Sequence, residues 1–426
     1  MTKSGEKVAF GDLLSHIPAL RNAFHYTNQF PFYNGHLLTI ASTRKFLTTD
    51  VIFYARRVFT FNGAYVSVDY AVDEFPNDAD LEYSPVENTP RPFPANTRYL
   101  KPEEISQYDD PATTRPLLIS IHGLAGGAHE AYIRSTVCEM RRIAPQFDHC
   151  VLTSRGCNRT PMSVPQFFNA CWTDDLRCLV NHISTNQPSR QIYLVGYSLG
   201  GSISANFLGQ EANATKIAAA CVVGAPWDLG ICTSMLESKW FGKNVYSRVM
   251  GGNLSRLTRE YESLLTSVSP YKENWGENGP HCKSIFEYDD VFNSRAFGFE
   301  GATDYYRSAS PSNRLRDIRT PCLVLCAQDD PICTDFAVPY KELERNPFIY
   351  TASTTHGGHL GWFETDGTRW SSKAIAAYFK LMDEQVEHTS PPSRPLPAKR
   401  WFGEGRFKPK QEWEKEKAEA GVADSQ

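Results

Sequence analysis

Acyl chemistry at a serine needs a nucleophile, a base, an orienting acid and donors for an oxyanion, and Gly196-Tyr197-Ser198-Leu199-Gly200-Gly201 offers a candidate for the first. This stretch follows the apolar run QIYLV and leads into the helix-like SISANFLG. A serine hydroxyl is a weak nucleophile until a base removes its proton, and a sharp strand–turn–helix bend is one way to lift it clear of a sheet. Such a bend excludes bulk two positions either side of the serine. Gly196 and Gly200 meet that constraint, and Gly201 eases packing of the helix on the sheet. Ser198 and Leu199 would then open a helix, where backbone N–H groups carry partial positive charge that favours an oxyanion. Taken alone, the pentapeptide fits a passive turn serine equally well.

The base candidate is His359 in Thr355-His356-Gly357-Gly358-His359-Leu360-Gly361, between the last strand-like run and the last helix. Two histidines three apart also suit a metal, but no further Cys, His or carboxylate pair lies near them, so no metal and no cofactor is expected. The orienting acid is Asp330 in Gln328-Asp329-Asp330-Pro331, with Asp329 its close rival. The order Ser, Asp, His is that of α/β-hydrolases and differs from trypsin-like or subtilisin-like proteases. Each of the three follows a strand-like run, where open α/β sheets place their sites. A fourth stretch, His122-Gly123-Leu124-Ala125-Gly126-Gly127, offers the Leu124 N–H as second oxyanion donor beside Leu199 N–H, with His122 shaping the loop rather than moving protons.

The elements that must position these residues follow from the pattern. Asn62-Gly63 between VIFYARRVFTF and AYVSVDYAV predicts a hairpin. Residues 75–114, rich in Pro, Asp, Glu and Asn, read as a long loop. RPLLISIHG, HCVLTSRG, QIYLVG, IAAACVVGAPW and PCLVLCA are apolar runs alternating with amphipathic helical segments, the pattern of a buried parallel sheet with crossover helices. Residues 227–312 interrupt that rhythm and read as a lid-like insertion near the site; its stretches SMLESKWFGKNVY, SIFEYDDVF and RAFGF offer side chains to line an acyl pocket. Residues 1–50 read as an N-terminal extension, 51–387 as the α/β domain, and 388–426 as a disordered tail dominated by Pro, Lys and Glu. Within the tail, KRWFGEGRFK pairs basic and aromatic residues and is a candidate contact for a membrane or lipid-droplet surface.

Bulk properties bound the remaining choices. With 426 residues, 41% apolar and 22% charged, the chain can bury a sizeable core. A net charge of −4 shows no basic excess, which excludes nucleic acid as the expected partner. Eleven cysteines, an odd number with no Cys-x-x-Cys pair, suit a reducing compartment. MTKSGEKVAFGDLL lacks the apolar core of a signal peptide, and no window approaches the ~20 apolar residues of a membrane span. A cytoplasmic rather than secreted protein is expected, and the sequons at Asn158, Asn213 and Asn253 are incidental.

Together PFYNGHLLTI (31–40), HGLAGGAHEAYIRS (122–135), SRGCNRTP (154–161), GYSLGGSISANFLG (196–209), AQDDP (327–331) and HGGHLGW (356–362) carry a family resemblance. The chain resembles the α/β-hydrolase family that bacterial YheT-like esterases share with eukaryotic lipid hydrolases and fungal medium-chain fatty acid ethyl ester synthases/esterases. The resemblance implies an α/β-hydrolase fold, a mostly parallel central sheet flanked by helices. It implies Ser198 as nucleophile, Asp330 as acid and His359 as base. It also implies medium-chain acyl esters, acylglycerols or acyl-CoA as substrates, with water or an alcohol accepting the acyl group. The absence of a His-x-x-x-x-Asp signature favours hydrolysis. Asn34-Gly35-His36 matches a family motif whose role the residues do not reveal. Cys171 stands where glycine is more frequent, and the N-terminal membrane anchor of some mammalian relatives is not carried over. A thioesterase or transacylase of secondary metabolism would use the same triad; a non-catalytic hydrolase-fold binding protein is disfavoured by the intact Ser, Asp and His set.

Overall fold

The computed structural model describes residues 2–387 apart from 7, 22–25, 27–32, 44–50, 76–82, 87–92, 94, 95 and 278. The tail 388–426, with the basic-aromatic stretch expected to touch a lipid surface, lies outside the described residues. Nine strands form one sheet in the order β3-β1-β2-β5-β4-β6-β7-β8-β9. They are β1 (Phe53–Phe61), β2 (Ala64–Val72), β3 (Thr97–Tyr99), β4 (Leu117–Ile121), β5 (Asp148–Thr153), β6 (Ile192–Tyr197), β7 (Ile217–Val223), β8 (Cys322–Ala327) and β9 (Ile349–Thr354).

From β5 across to β9 every pairing is parallel, whereas β1 runs antiparallel to β2 and β2 to β5. The β1–β2 hairpin turns at Asn62-Gly63, whose φ of 51° and 80° are the left-handed values a two-residue turn of this kind demands. A buried ion pair, Arg56 Nε to Asp69 Oδ1 at 2.5 Å, crosses β1 and β2, and Thr153 Oγ1 of β5 donates to Asp69 Oδ2 at 2.8 Å. These bonds tie the antiparallel edge to the parallel strands. The segment read as one long loop, 75–114, holds β3, paired to β1 at Tyr54↔Thr97, and the helical turn Ile105–Tyr108. Elements of three and four residues are too short for hydrophobic periodicity to reveal.

Buried on both faces, the parallel strands read as continuous apolar runs because alternate residues enter different cores. Leu118, Val151, Val195, Cys221 and Leu325 point to one side, against Ile133, Val137 and Met140 of helix Ala131–Ile143 and Ile375 and Phe379 of helix Trp370–Gln385. Leu13, Leu14, Ile17 and Leu20 of the N-terminal stretch join that same core. Ile119, Leu152, Leu194, Val222 and Val324 point to the other side, against helices Asp174–Asn186 and Leu199–Glu211.

The insertion 227–312 builds a helical cap from helices Leu229–Ser238, Arg248–Glu260 and Ala302–Ala309, with π-helical turns at Gly242–Ser247 and Asp289–Asn293. Its core is a separate cluster that includes Leu254, Tyr288, Phe292 and Tyr305 and packs onto Leu124 and Leu199 at the C-terminal end of the strands. No helix among the described residues is long and apolar enough to cross a membrane.

Candidate active site

Ser198 sits between the end of β6 and helix Leu199–Glu211 with φ 53° and ψ −121°, a conformation costly for any residue with a Cβ. The turn is tight enough that a Cβ on Gly196 would lie 2.3 Å from Gly200 O, and one on Gly200 2.3 Å from Ile121 O. Both glycines are therefore required by contact. The strained turn holds the half-buried Ser198 side chain beside the β4 loop, where a Cβ on Gly123 would come within 3.3 Å of Ser198 Cβ.

His359 reaches this serine. Its Nε2 lies 2.9 Å from Ser198 Oγ, and its Nδ1 2.8 Å from Asp330 Oδ2. An Nδ1–H tautomer donating to Asp330 leaves Nε2 free to accept the hydroxyl proton. The Asp330 side chain is 2% exposed, and its other oxygen accepts the Ile332 and Cys333 N–H groups at 2.8 Å each, so the carboxylate is held in orientation by its own loop. Asp329 turns away from the imidazole of His359: Oδ1 accepts Gly358 N–H at 2.9 Å and Oδ2 lies 3.2 Å from His356 Nδ1. Burial pushes the Asp329 carboxyl above its usual range, against the Gly358 and His356 bonds. The two histidines thus attach to different carboxylates.

On the facing loop, His122 Nε2 accepts Ser154 N–H at 3.0 Å and Nδ1–H donates to Gly123 O at 2.6 Å. Burial lowers its pKa to about 4, so it is a neutral brace between β4 and β5. Leu124 and Leu199 border the same cavity as Ser198, and neither N–H has an acceptor among the described residues. The cavity, about 110 Å³, is walled by cap residues such as Leu229, Leu236, Leu254, Leu257 and Ile285.

The structure also supplies what Asn34-Gly35-His36 lacked in sequence. Asn34 Oδ1 caps helix Gly35–Ser42 by accepting Leu37 N–H at 2.9 Å. That helix packs against both the loop after β8 and the His359 loop: a Cβ on Gly35 would fall 1.9 Å from Asp329 O, and one on Gly358 2.5 Å from Gly35 O. From it, Thr39 Oγ1 accepts His359 N–H at 2.8 Å, and Ser42 Oγ donates to His359 O at 2.9 Å. Both backbone groups of His359 are gripped by hydroxyls that sequence reasoning did not single out. His36 faces the cap, its Nδ1 3.0 Å from Tyr246 OH with the two rings stacked.

Comparison with known proteins gives an independent line. The family described as "Serine aminopeptidase, S33" matches residues 160–338. A monoacylglycerol lipase of Saccharomyces cerevisiae is 33% identical over 364 residues, covering 83% of this chain and 80% of the relative. The medium-chain fatty acid ethyl ester synthase/esterase 2 of the same yeast is 30% identical over 417 residues, covering 89% and 91%. The putative esterase YheT of Escherichia coli is 29% identical over 256 residues, covering 59% of this chain and 72% of that one.

Proposed function

The chain belongs to the α/β-hydrolase family of these lipases and esterases, and from that premise we propose that it cleaves medium-chain fatty acyl esters, acylglycerols and ethyl esters among them, through an acyl-Ser198 intermediate. The observation that carries the reading is one imidazole bridging 2.9 Å to Ser198 Oγ and 2.8 Å to Asp330 at the edge of an apolar cavity.

In this cycle His359 Nε2 takes the Ser198 proton as Oγ attacks the ester carbonyl. Asp330 holds the imidazole tautomer and stabilises the imidazolium. The N–H groups of Leu124 and Leu199 receive the oxyanion; one such donor is worth roughly 10²–10³ in rate. The imidazolium then protonates the leaving alcohol. Water attacks the acyl-serine to release the fatty acid, and an alcohol in its place forms a new ester on the same triad. Residues 227–312 serve as the lid whose leucines receive the chain, each buried methylene contributing about 0.8 kcal/mol.

A fluorophosphonate probe tests the nucleophile directly. The native protein should label and Ser198→Ala should not; equal labelling of both removes Ser198 from the mechanism. Hydrolysis of p-nitrophenyl esters of rising chain length then tests the substrate class, and an optimum at acetate would refute the acyl pocket.

A further inference from the structure

The cavity that accepts the chain carries a group an alkyl chain has no use for. Among the described residues bordering it, Asp289 is the one carboxyl besides leucines, aromatics and neutral polar groups. It is 6% exposed and stands at the start of the π-helical turn Asp289–Asn293. Such turns widen a helix locally and recur at functional sites. Asn293 Nδ2 donates to Oδ1 at 2.8 Å and Tyr306 OH donates to Oδ2 at 2.8 Å, while among the described residues no Lys, Arg or His within ion-pair distance balances the charge. Burial raises its pKa to about 6, which leaves the ionised form dominant at neutral pH.

A carboxylate has about four lone-pair sites, and two here are taken by neutral donors. A role limited to holding Tyr306 needs no charge; a neutral amide would accept the same phenol without the desolvation. The remaining acceptor capacity suits hydrogen-bond donors on a ligand. Acyl chains and ethyl groups have none. Free hydroxyls do, and the alcohol part of a monoglyceride brings two of them.

We propose that Asp289, with Asn293 and Tyr306, is a hydroxyl-recognition site for the alcohol portion of the ester, which selects glyceryl monoesters over simple alkyl esters of the same acid. The proposal rests on Ser198 as the acylated nucleophile and assigns the preference to a residue of the cap.

Three octanoate esters separate the two ideas: 1-monooctanoylglycerol, ethyl octanoate and p-nitrophenyl octanoate. In the native protein kcat/KM for the glyceryl ester should exceed that for the ethyl ester. Asp289→Asn should lower it roughly tenfold to a hundredfold, the span of a hydrogen bond to a charged group, mainly through KM. The ethyl and nitrophenyl esters should stay within about threefold. A parallel fall on all three esters, or no fall on any, overturns the site. A measurement without a variant guards against misfolding: 1-O-octylglycerol ether should inhibit native nitrophenyl ester hydrolysis at least about tenfold more strongly than octyl ethyl ether. Equal inhibition overturns the proposal. If the native protein turns over none of the esters, the Ser198 reading falls first and takes this one with it.

Discussion

The corner that holds Ser198, Asp330 and His359 and the cap above it are built on different terms. At the corner, backbone fixes the side chains. Ser198 is set by a strained turn, Asp330 by two N–H groups of its own loop, and His359 by hydroxyls on both its N–H and its C=O. In the cap, helices pack around a core of their own, and a group facing the cavity such as Asp289 is held by side-chain contacts alone, from Asn293 and Tyr306. Positional accuracy of a few tenths of an ångström matters to proton transfer, and hydrogen bonds that engage backbone groups supply it. Chain and headgroup recognition tolerates looser walls. Substitutions at the corner should therefore act on kcat, and substitutions in the cap on substrate choice.

The largest effect should come from the neighbouring acids. Asp330→Asn presents the wrong partner to His359 Nδ1 and should lower kcat by about 10⁴, the scale seen when a triad acid is neutralised. Asp329→Asn keeps the His359 contact and should cost about tenfold or less, through the Gly358 loop. Rates on p-nitrophenyl butyrate measure both. Comparable losses would mean that the two carboxylates share the role. Next in size is Thr39→Val, which leaves His359 N–H without its acceptor: kcat should fall about tenfold at nearly constant KM. Thr39→Ser should restore it. A loss that serine does not rescue would assign Thr39 to packing.

Cap substitutions should leave those rates alone and reshape the profile. With each added methylene buried, kcat/KM for native protein should rise about fourfold per carbon until the cavity is full, from the ~0.8 kcal/mol that such a group contributes. Leu254, on the cavity wall, is buried in the cap core. Leu254→Phe should bring the optimum down by about two carbons, with turnover of the acetate ester unchanged within about twofold. If acetate turnover falls in step with octanoate, cap and corner are mechanically coupled, through a contact such as His36–Tyr246.

What could be read from the chain follows the same division. The Ser198 turn and the parallel strands were legible because their constraints are local: glycines where a Cβ collides, and apolar runs where both faces are buried. The Asp329–Asp330 choice rested on spacing, and the hydrogen bonds place Asp330 on His359 and Asp329 on the loop behind it. Thr39 and Ser42 were illegible because their bonds to His359 span 320 and 317 residues, and no local pattern marks a hydroxyl for such a contact. SIFEYDDVF reads as a stretch that could line the pocket, but nothing in it tells its two aspartates apart: Asp289 is buried at the cavity, while Asp290 Oδ1 accepts Ala302 N–H at 2.9 Å. Only the folded cap separates them.

The smallest expected effect tests that last distinction through stability. Asp289 binds its proton more tightly in the folded chain, with a pKa raised from 3.8 to about 6 by burial. Between roughly pH 4 and pH 6 the folded state therefore holds more protons than the unfolded one, so this group's contribution to stability declines as pH rises through that window. A rise of that size corresponds to at most about 3 kcal/mol, a few degrees in Tm for a chain of this size. Asp289→Asn removes the titration and keeps an acceptor for Tyr306. Its Tm relative to native protein should thus climb from pH 4 to pH 6 and stay level above. A flat difference across that range would mean that the carboxylate is already balanced in the folded cap and carries no uncompensated charge.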